Sequence, residues 1–130
     1  MSVVDSIGAI LTAQGAVGGD SGYTLALNWM PPSPDQIVAV TEYGGDVPQH
    51  RAGLERHSVQ VRVRGLPSGA QAAATKMDAV RTILAYHDRT DDSTDVLECV
   101  PRASGMLSMG RDDNERPEFS VNFEVWRSRA

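Results

Sequence analysis

Apolar residues recur at helical spacing in two stretches and alternate with polar ones in several others, and this difference divides the chain into elements. Near the N-terminus, Val3, Ile7, Ile10 and Leu11 fall on one helical face, with Val4 beside them. Ser2 stands where an N-cap belongs, Asp5 lies in the first turn, and Gly15 ends the helix. Gly15 to Gly22 is too glycine-rich for either regular state and reads as a connector. Tyr23 to Trp29 alternates as a strand, with Leu25, Leu27 and Trp29 on one face and Thr24, Ala26 and Asn28 on the other. Pro31, Pro32 and Pro34 stop it, and a second strand runs from Gln36 to Thr41.

A third strand, Ser58 to Arg64, puts Val59, Val61 and Val63 inward and Gln60, Arg62 and Arg64 outward. Between strands two and three the residues Gly44 to His57 read as a long polar arm, and loops of that length are commonly functional or disordered. The second helix follows Pro67. Ser68 and Gln71 have the spacing of a capping box, and Ala73, Met77, Val80, Ile83, Leu84 and His87 make the apolar stripe. Asp88 to Asp95 closes it as an acidic turn. Three strands remain: Asp95 to Val100, Gly105 to Met109, and Glu118 to Arg127. The last carries Phe119, Val121, Phe123 and Val125 inward and Ser120, Asn122, Glu124 and Trp126 outward. The order α-β-β-β-α-β-β-β predicts a single α+β domain over residues 1–130, a mainly antiparallel mixed sheet with two helices packed on one face.

Composition narrows the function. With 130 residues the chain can bury roughly two thirds of its unfolded surface as one domain. Hydrophobic content of 41% and charged content of 22% mark an ordinary globular chain. Aromatics are only 5%, so the core rests on aliphatic side chains. A net charge of -5 argues against sequence-independent nucleic-acid binding, which needs clustered cations to displace counterions. A single cysteine, Cys99, excludes an intrachain disulfide and reads as a small buried hydrophobe. No stretch has the length and apolarity of a membrane span or the layout of a signal peptide, which points to assembly in a cytoplasm and no membrane partner.

Candidate chemistry is thin. His50, His57 and His87 lack metal-site spacing, and His87 ends a helix, where a cation complements the dipole. Asp91-Asp92-Ser93-Thr94-Asp95 opens like a calcium loop, but Val96 replaces the required glycine and Arg102 the final glutamate. No nucleophile elbow or phosphate loop is present. No catalytic residue, metal ligand or cofactor is therefore assigned, and the chain does not read as an enzyme.

Two tracts carry a resemblance. Glu42-Tyr43-Gly44-Gly45 with Pro48, Leu54-Glu55-Arg56 and the strand Val59 to Gly65 form one; Met109 to Val125 forms the other. Together they resemble the tail terminator or minor capsid proteins of long-tailed, siphovirus-type bacteriophages, over nearly the whole chain including the first helix. The resemblance implies a virion protein at the tail–neck junction, assembled in the host cytoplasm. It implies a ring, usually a hexamer, of copies of the chain. The ring would cap the tail tube protein, end its polymerisation and join the neck or connector protein, with genomic DNA passing through the centre. Gly44, Gly45, Asp46, Val47, Pro48, Arg51, Leu54, Glu55 and Arg56 of the arm are then expected at subunit or partner contacts. Asp88, Asp91, Asp92 and Asp95 of one turn, or Asp112, Asp113 and Glu115 of the other, would line the passage and repel DNA phosphates. A head–tail completion protein of the neck is the nearest alternative, and a small binding module a distant one.

Overall fold

The computed structural model describes residues 2–45, 53–87 and 94–128. The elements are α1 (Val3–Ala13), β1 (Thr24–Leu27), β2 (Ile37–Gly45), β3 (Leu54–Arg64), α2 (Ala70–Ala85), β4 (Val96–Pro101), β5 (Leu107–Arg111) and β6 (Pro117–Ser128). They form the α+β architecture expected, with one six-stranded mixed sheet. β6 is its spine. One side of β6 pairs with β3 along the whole of that strand, from Leu54 opposite Ser128 to Arg64 opposite Glu118. The other side is shared: β4 takes the second half of β6 and β5 the first. β2 continues the sheet beyond β3, and β1 lies parallel to β2 at the far edge, while every other pairing is antiparallel.

The helices begin differently. At α1 the capping box forms: the Asp5 amide donates to Ser2 Oγ at 3.2 Å, and the Ser2 amide donates to the Asp5 carboxylate at 3.1 Å. At α2 the capping box expected from Ser68 and Gln71 does not form. The chain makes a turn first, with the Gly69 amide bonding the Leu66 carbonyl at 2.8 Å, so the N-cap falls on Gly69, which has no side chain to donate or accept. Gly65 sets this geometry. A Cβ there would lie 2.7 Å from Ala73 Cβ, so the strand end and the helix touch through glycine alone.

Both helices contact the sheet where its apolar residues point. Val38 and Val40 of β2, Val59, Val61 and Val63 of β3, and Val121, Phe123 and Val125 of β6 pack with Ile7, Leu11, Met77, Val80 and Leu84. A smaller cluster of Ala26, Ile37 and Ala39 lies on the opposite face, with Met30 packed against it. Helices cover none of that second face, which is called the open face below.

Three strand readings change. Strand one stops at Leu27 and does not reach Trp29, which is 59% exposed. Asn28 adopts φ 67, a left-handed conformation that asparagine tolerates, and its side-chain oxygen accepts from the Glu42 amide at 3.2 Å. Strands two and three are longer than their hydrophobic patterns: β2 runs on to Gly45 and β3 starts at Leu54. Of the arm read over Gly44–His57, Gly44, Gly45 and Leu54 to His57 are thus paired strand, with His57 opposite Gly45 and Ser58 opposite Gly44.

Candidate assembly surfaces

The strands give the molecule two poles. One carries the β2–β3 hairpin stem, the start of β4 and the start of α1. The other carries the proline-rich loop before β2, the β3–α2 turn and the β5–β6 turn.

At the hairpin pole, charge replaces the apolar alternation. His57 and Glu55 lie on the helix-facing side of β3, where Val59, Val61 and Val63 continue the pattern. His57 contacts the Glu42 carboxylate through Nδ1 and Glu55 through Nε2, the latter at 2.9 Å. Glu55 also accepts from Arg127 Nε at 3.1 Å, and Arg127 lies 3.4 Å from Asp95. Asp95 accepts from the Ser6 hydroxyl at 2.7 Å. One chain of ion pairs and hydrogen bonds thus joins β2, β3, β6 and α1. Leu54, Glu55 and Arg56 pair with Ser128, Arg127 and Trp126 in place of projecting in a loop, and the Glu55–Arg127 bond lies across that pairing. Gly44 and Gly45 end β2 beside a bulge. A Cβ at Gly45 would stand 2.5 Å from the Arg56 carbonyl, so only glycine allows the strands this approach. The remaining arm residues, Asp46, Val47, Pro48 and Arg51, lie outside the described residues, as do Asp88, Asp91 and Asp92.

Across the open face a polar belt links four strands. Arg102, just after β4, donates to Glu124 of β6 at 3.1 Å and to the Tyr43 hydroxyl of β2 at 3.3 Å. Arg56 of β3 lies 3.7 Å from Glu124 and 5.6 Å over the Trp126 ring. Tyr43, Val100, Leu107 and Met109 are exposed apolar residues.

The opposite pole is built on two buried arginines that sequence reading missed. Arg64, expected outward in solvent, is 2% exposed: it points to the open face but donates to the Pro34 and Asp35 carbonyls at 2.6 and 2.9 Å. Burial lowers its pKa, and the charge of Arg116 adds to that effect. Arg116 is 5% exposed and donates to the Pro32 carbonyl, to Asp35 Oδ1 and to Asp112 Oδ2, at 2.6, 3.2 and 2.9 Å. A signal was available: prolines leave loop carbonyls without neighbouring N–H groups to pair them, so buried donors must come from elsewhere.

The acidic residues of this pole divide by role. Burial pushes the Asp112 carboxyl upward, but hydrogen bonds from the Arg116 and Asn114 amides and the Arg116 guanidinium outweigh it and hold the group below its ordinary value. Asp112 is therefore a bracket for its turn. Glu115 adopts φ 63, and its carbonyl accepts from Arg111 at 2.7 Å. Its side chain is exposed, and Asp113 is exposed beside it. Asp95, in the other turn, is bound into the hairpin-pole chain.

His87 lies just beyond α2 and bonds the Val96 carbonyl at 3.2 Å, tying the helix end to β4, where sequence reading had it complementing the helix dipole. Cys99 is 3% exposed, and burial, with a contribution from Glu98, pushes its thiol up to about 12. Among the described residues no group of three His, Cys, Asp or Glu side chains could hold a metal ion, and no helix is long and apolar enough to cross a membrane.

What the arrangement offers is surface: a stapled open face, a hairpin and a rigid pole. A family model described as bacteriophage tail terminator protein matches residues 13–127. The match starts at the last residue of α1. No curated protein matches the chain. Since the family model spans almost the whole sequence, the chain belongs to the bacteriophage tail terminator family and has a structural role in the phage tail.

Proposed function

We propose that the protein forms a ring, hexameric in the simplest case, that caps the finished tail tube, stops its polymerisation and joins it to the neck, with DNA passing through the centre. The observation that carries this reading is the family match over residues 13–127. The physical character of the chain supports it. Residues that a catalyst would leave poised are here tied into structure: His57 and Asp95 lie in one bonded chain, and Asp112 brackets a turn. The reading places the chain in the virion at the tail–neck junction, after assembly in the host cytoplasm.

Within the reading, the hairpin pole (Gly44, Gly45, Leu54, Glu55 and Arg56, with the adjoining residues 46–51) meets a neighbouring subunit or tail protein. One of the two acidic sets, Asp88, Asp91, Asp92 and Asp95 or Asp112, Asp113 and Glu115, stands at the passage and repels DNA phosphates. Asp95 and Asp112 are the weaker members of those sets, because each already faces a guanidinium. Phage lacking this chain should produce tails of uncontrolled length and tailless heads, seen by negative-stain microscopy. Tails of normal length joined to heads would overturn the reading. Normal free tails beside unjoined heads would favour a neck completion role.

A further inference from the structure

The sheet ends at β1 on one side and at β4 and β5 on the other. Among the described residues, β1 pairs only with β2, and β5 only with β6. Edge strands present unpaired N–H and C=O groups that another strand can use. Here the two edges are matched in height. Following directly opposed residues across the sheet, Leu25 leads to Val38, Val63, Phe119 and Ser108. Ala26 leads likewise to Ala39, Arg62, Ser120 and Leu107. β1 and β5 therefore sit at the same level along the strand direction, at opposite ends of the sheet. β4 lies opposite Phe123 to Arg127, nearer the hairpin pole than β1 reaches. All five residues of β5 are exposed; Leu107 is 64% and Met109 43% exposed. Thr24 of β1 is exposed too, and Trp29 beyond it is 59% exposed.

We infer that β5 of one copy pairs with β1 of the next, so that the sheets of neighbouring subunits are continuous around the assembly. The inference rests on the ring reading above and assigns its subunit contact. A contact between two different patches of one chain is head-to-tail, and it closes into a ring only if successive copies are not displaced along the axis. Edges at equal height meet that condition when the axis runs along the strands. Direction also agrees. β1 runs with β2, and β6 runs with β1 because two antiparallel steps separate β6 from β2. β5 opposes β6, so β5 against β1 of a like-oriented neighbour is antiparallel, the geometry short strands adopt readily. All hairpin poles would then face one side of the ring and all arginine-clamped poles the other.

Thr24 and Leu107 lie on the open face of their strands, since each is in phase with a residue of that face, Ala26 and Ser120 respectively. Thr24→Cys with Leu107→Cys, treated with a short bis-maleimide, tests the pairing in concentrated purified protein and in phage particles. Cys99 is buried and does not compete. The expected result is a ladder of linked chains from the double variant and unlinked chains from each single variant. Dimers from either single variant would mean that like edges meet, and would overturn the inference. Assemblies that sediment as rings yet give no ladder would overturn it and leave the ring reading standing. Absence of assemblies in solution and in particles would overturn both, and the tail-length phenotype reports on the ring reading separately. Leu107→Lys should abolish the assemblies while leaving the circular dichroism of the monomer unchanged; rings that persist in that variant would also count against the pairing.

Discussion

At the scale of single residues, Phe123 of β6 is the largest of the fully buried side chains. Phe123 is fully buried between the helices and β3, so Phe123→Ala should cost about 3–5 kcal/mol in chemical denaturation. A loss under about 1 kcal/mol would mean that the site collapses around the cavity. Cys99 makes a chemical prediction. A thiol pushed up to about 12 in a buried site has almost no thiolate at pH 8, so iodoacetamide should modify it only in denaturant. Rapid alkylation of the native protein would show that β4 opens. Asp112 supplies the pH dependence. Its folded pKa is depressed, so its contribution to stability is full above the unfolded value and is lost as pH falls through the folded one. Asp112→Asn should therefore be less stable than the parent at neutral pH, and the difference should shrink as the solution is taken below about pH 4, near the unfolded carboxylate value. Melting curves at several pH values would reveal it.

Helices and strands differ in how much of them the pattern of residues discloses. α1 is legible down to its cap, because Ser2 and Asp5 satisfy each other locally and need no tertiary help. Ser2→Ala should cost about 1 kcal/mol, whereas Ser68→Ala should cost a few tenths at most, since the cap of α2 is Gly69. Equal losses at both sites would restore the capping box at α2. The valine ladder of β3 and Val121, Phe123 and Val125 of β6 are buried as their periods require, whereas Phe119 is only half-buried and Ser120, expected outward, is buried on the open face. Legibility ends where side chains stop being apolar. In the first residues of β3, Glu55 and His57 are bonded to Arg127 and Glu42, partners distant in sequence. A period-two hydrophobic test is blind to them, and so the hairpin stem reads as a loop. Arg64 and Arg116 escape the same test, since their acceptors are loop carbonyls and only Pro31, Pro32 and Pro34 point to them. The family role was legible in two tracts, whereas the edges at β1 and β5 emerge only once the register across five strands is known.

For the whole molecule, the two poles invite different experiments. Asp113→Asn with Glu115→Gln removes two exposed charges from the clamped pole without touching the bracket made by Asp112, so folding should be unchanged. If acidic groups ease DNA through the passage, ejection measured by dye release should slow while particle assembly proceeds. Unaltered ejection would reduce these charges to a solubility role. At the hairpin pole, Glu55→Gln should weaken the bonded chain that joins β3 to β6 and raise amide exchange along the stem, since Arg127 and His57 both use that carboxylate.

The two buried arginines have a further consequence, which concerns ionic strength. Mobile ions weaken exposed charge pairs but reach buried ones poorly. The open-face belt, where the Arg102 side chain is 46% exposed, should loosen in concentrated salt. The proline loop should not, because Arg64 and Arg116 hold its carbonyls where chloride and sodium have no access. A particle moved between dilute and saline media would then keep one pole of this subunit in a constant shape while the sheet face beside it slackens. The salt-insensitive pole is the surface suited to a junction that must hold whatever the medium.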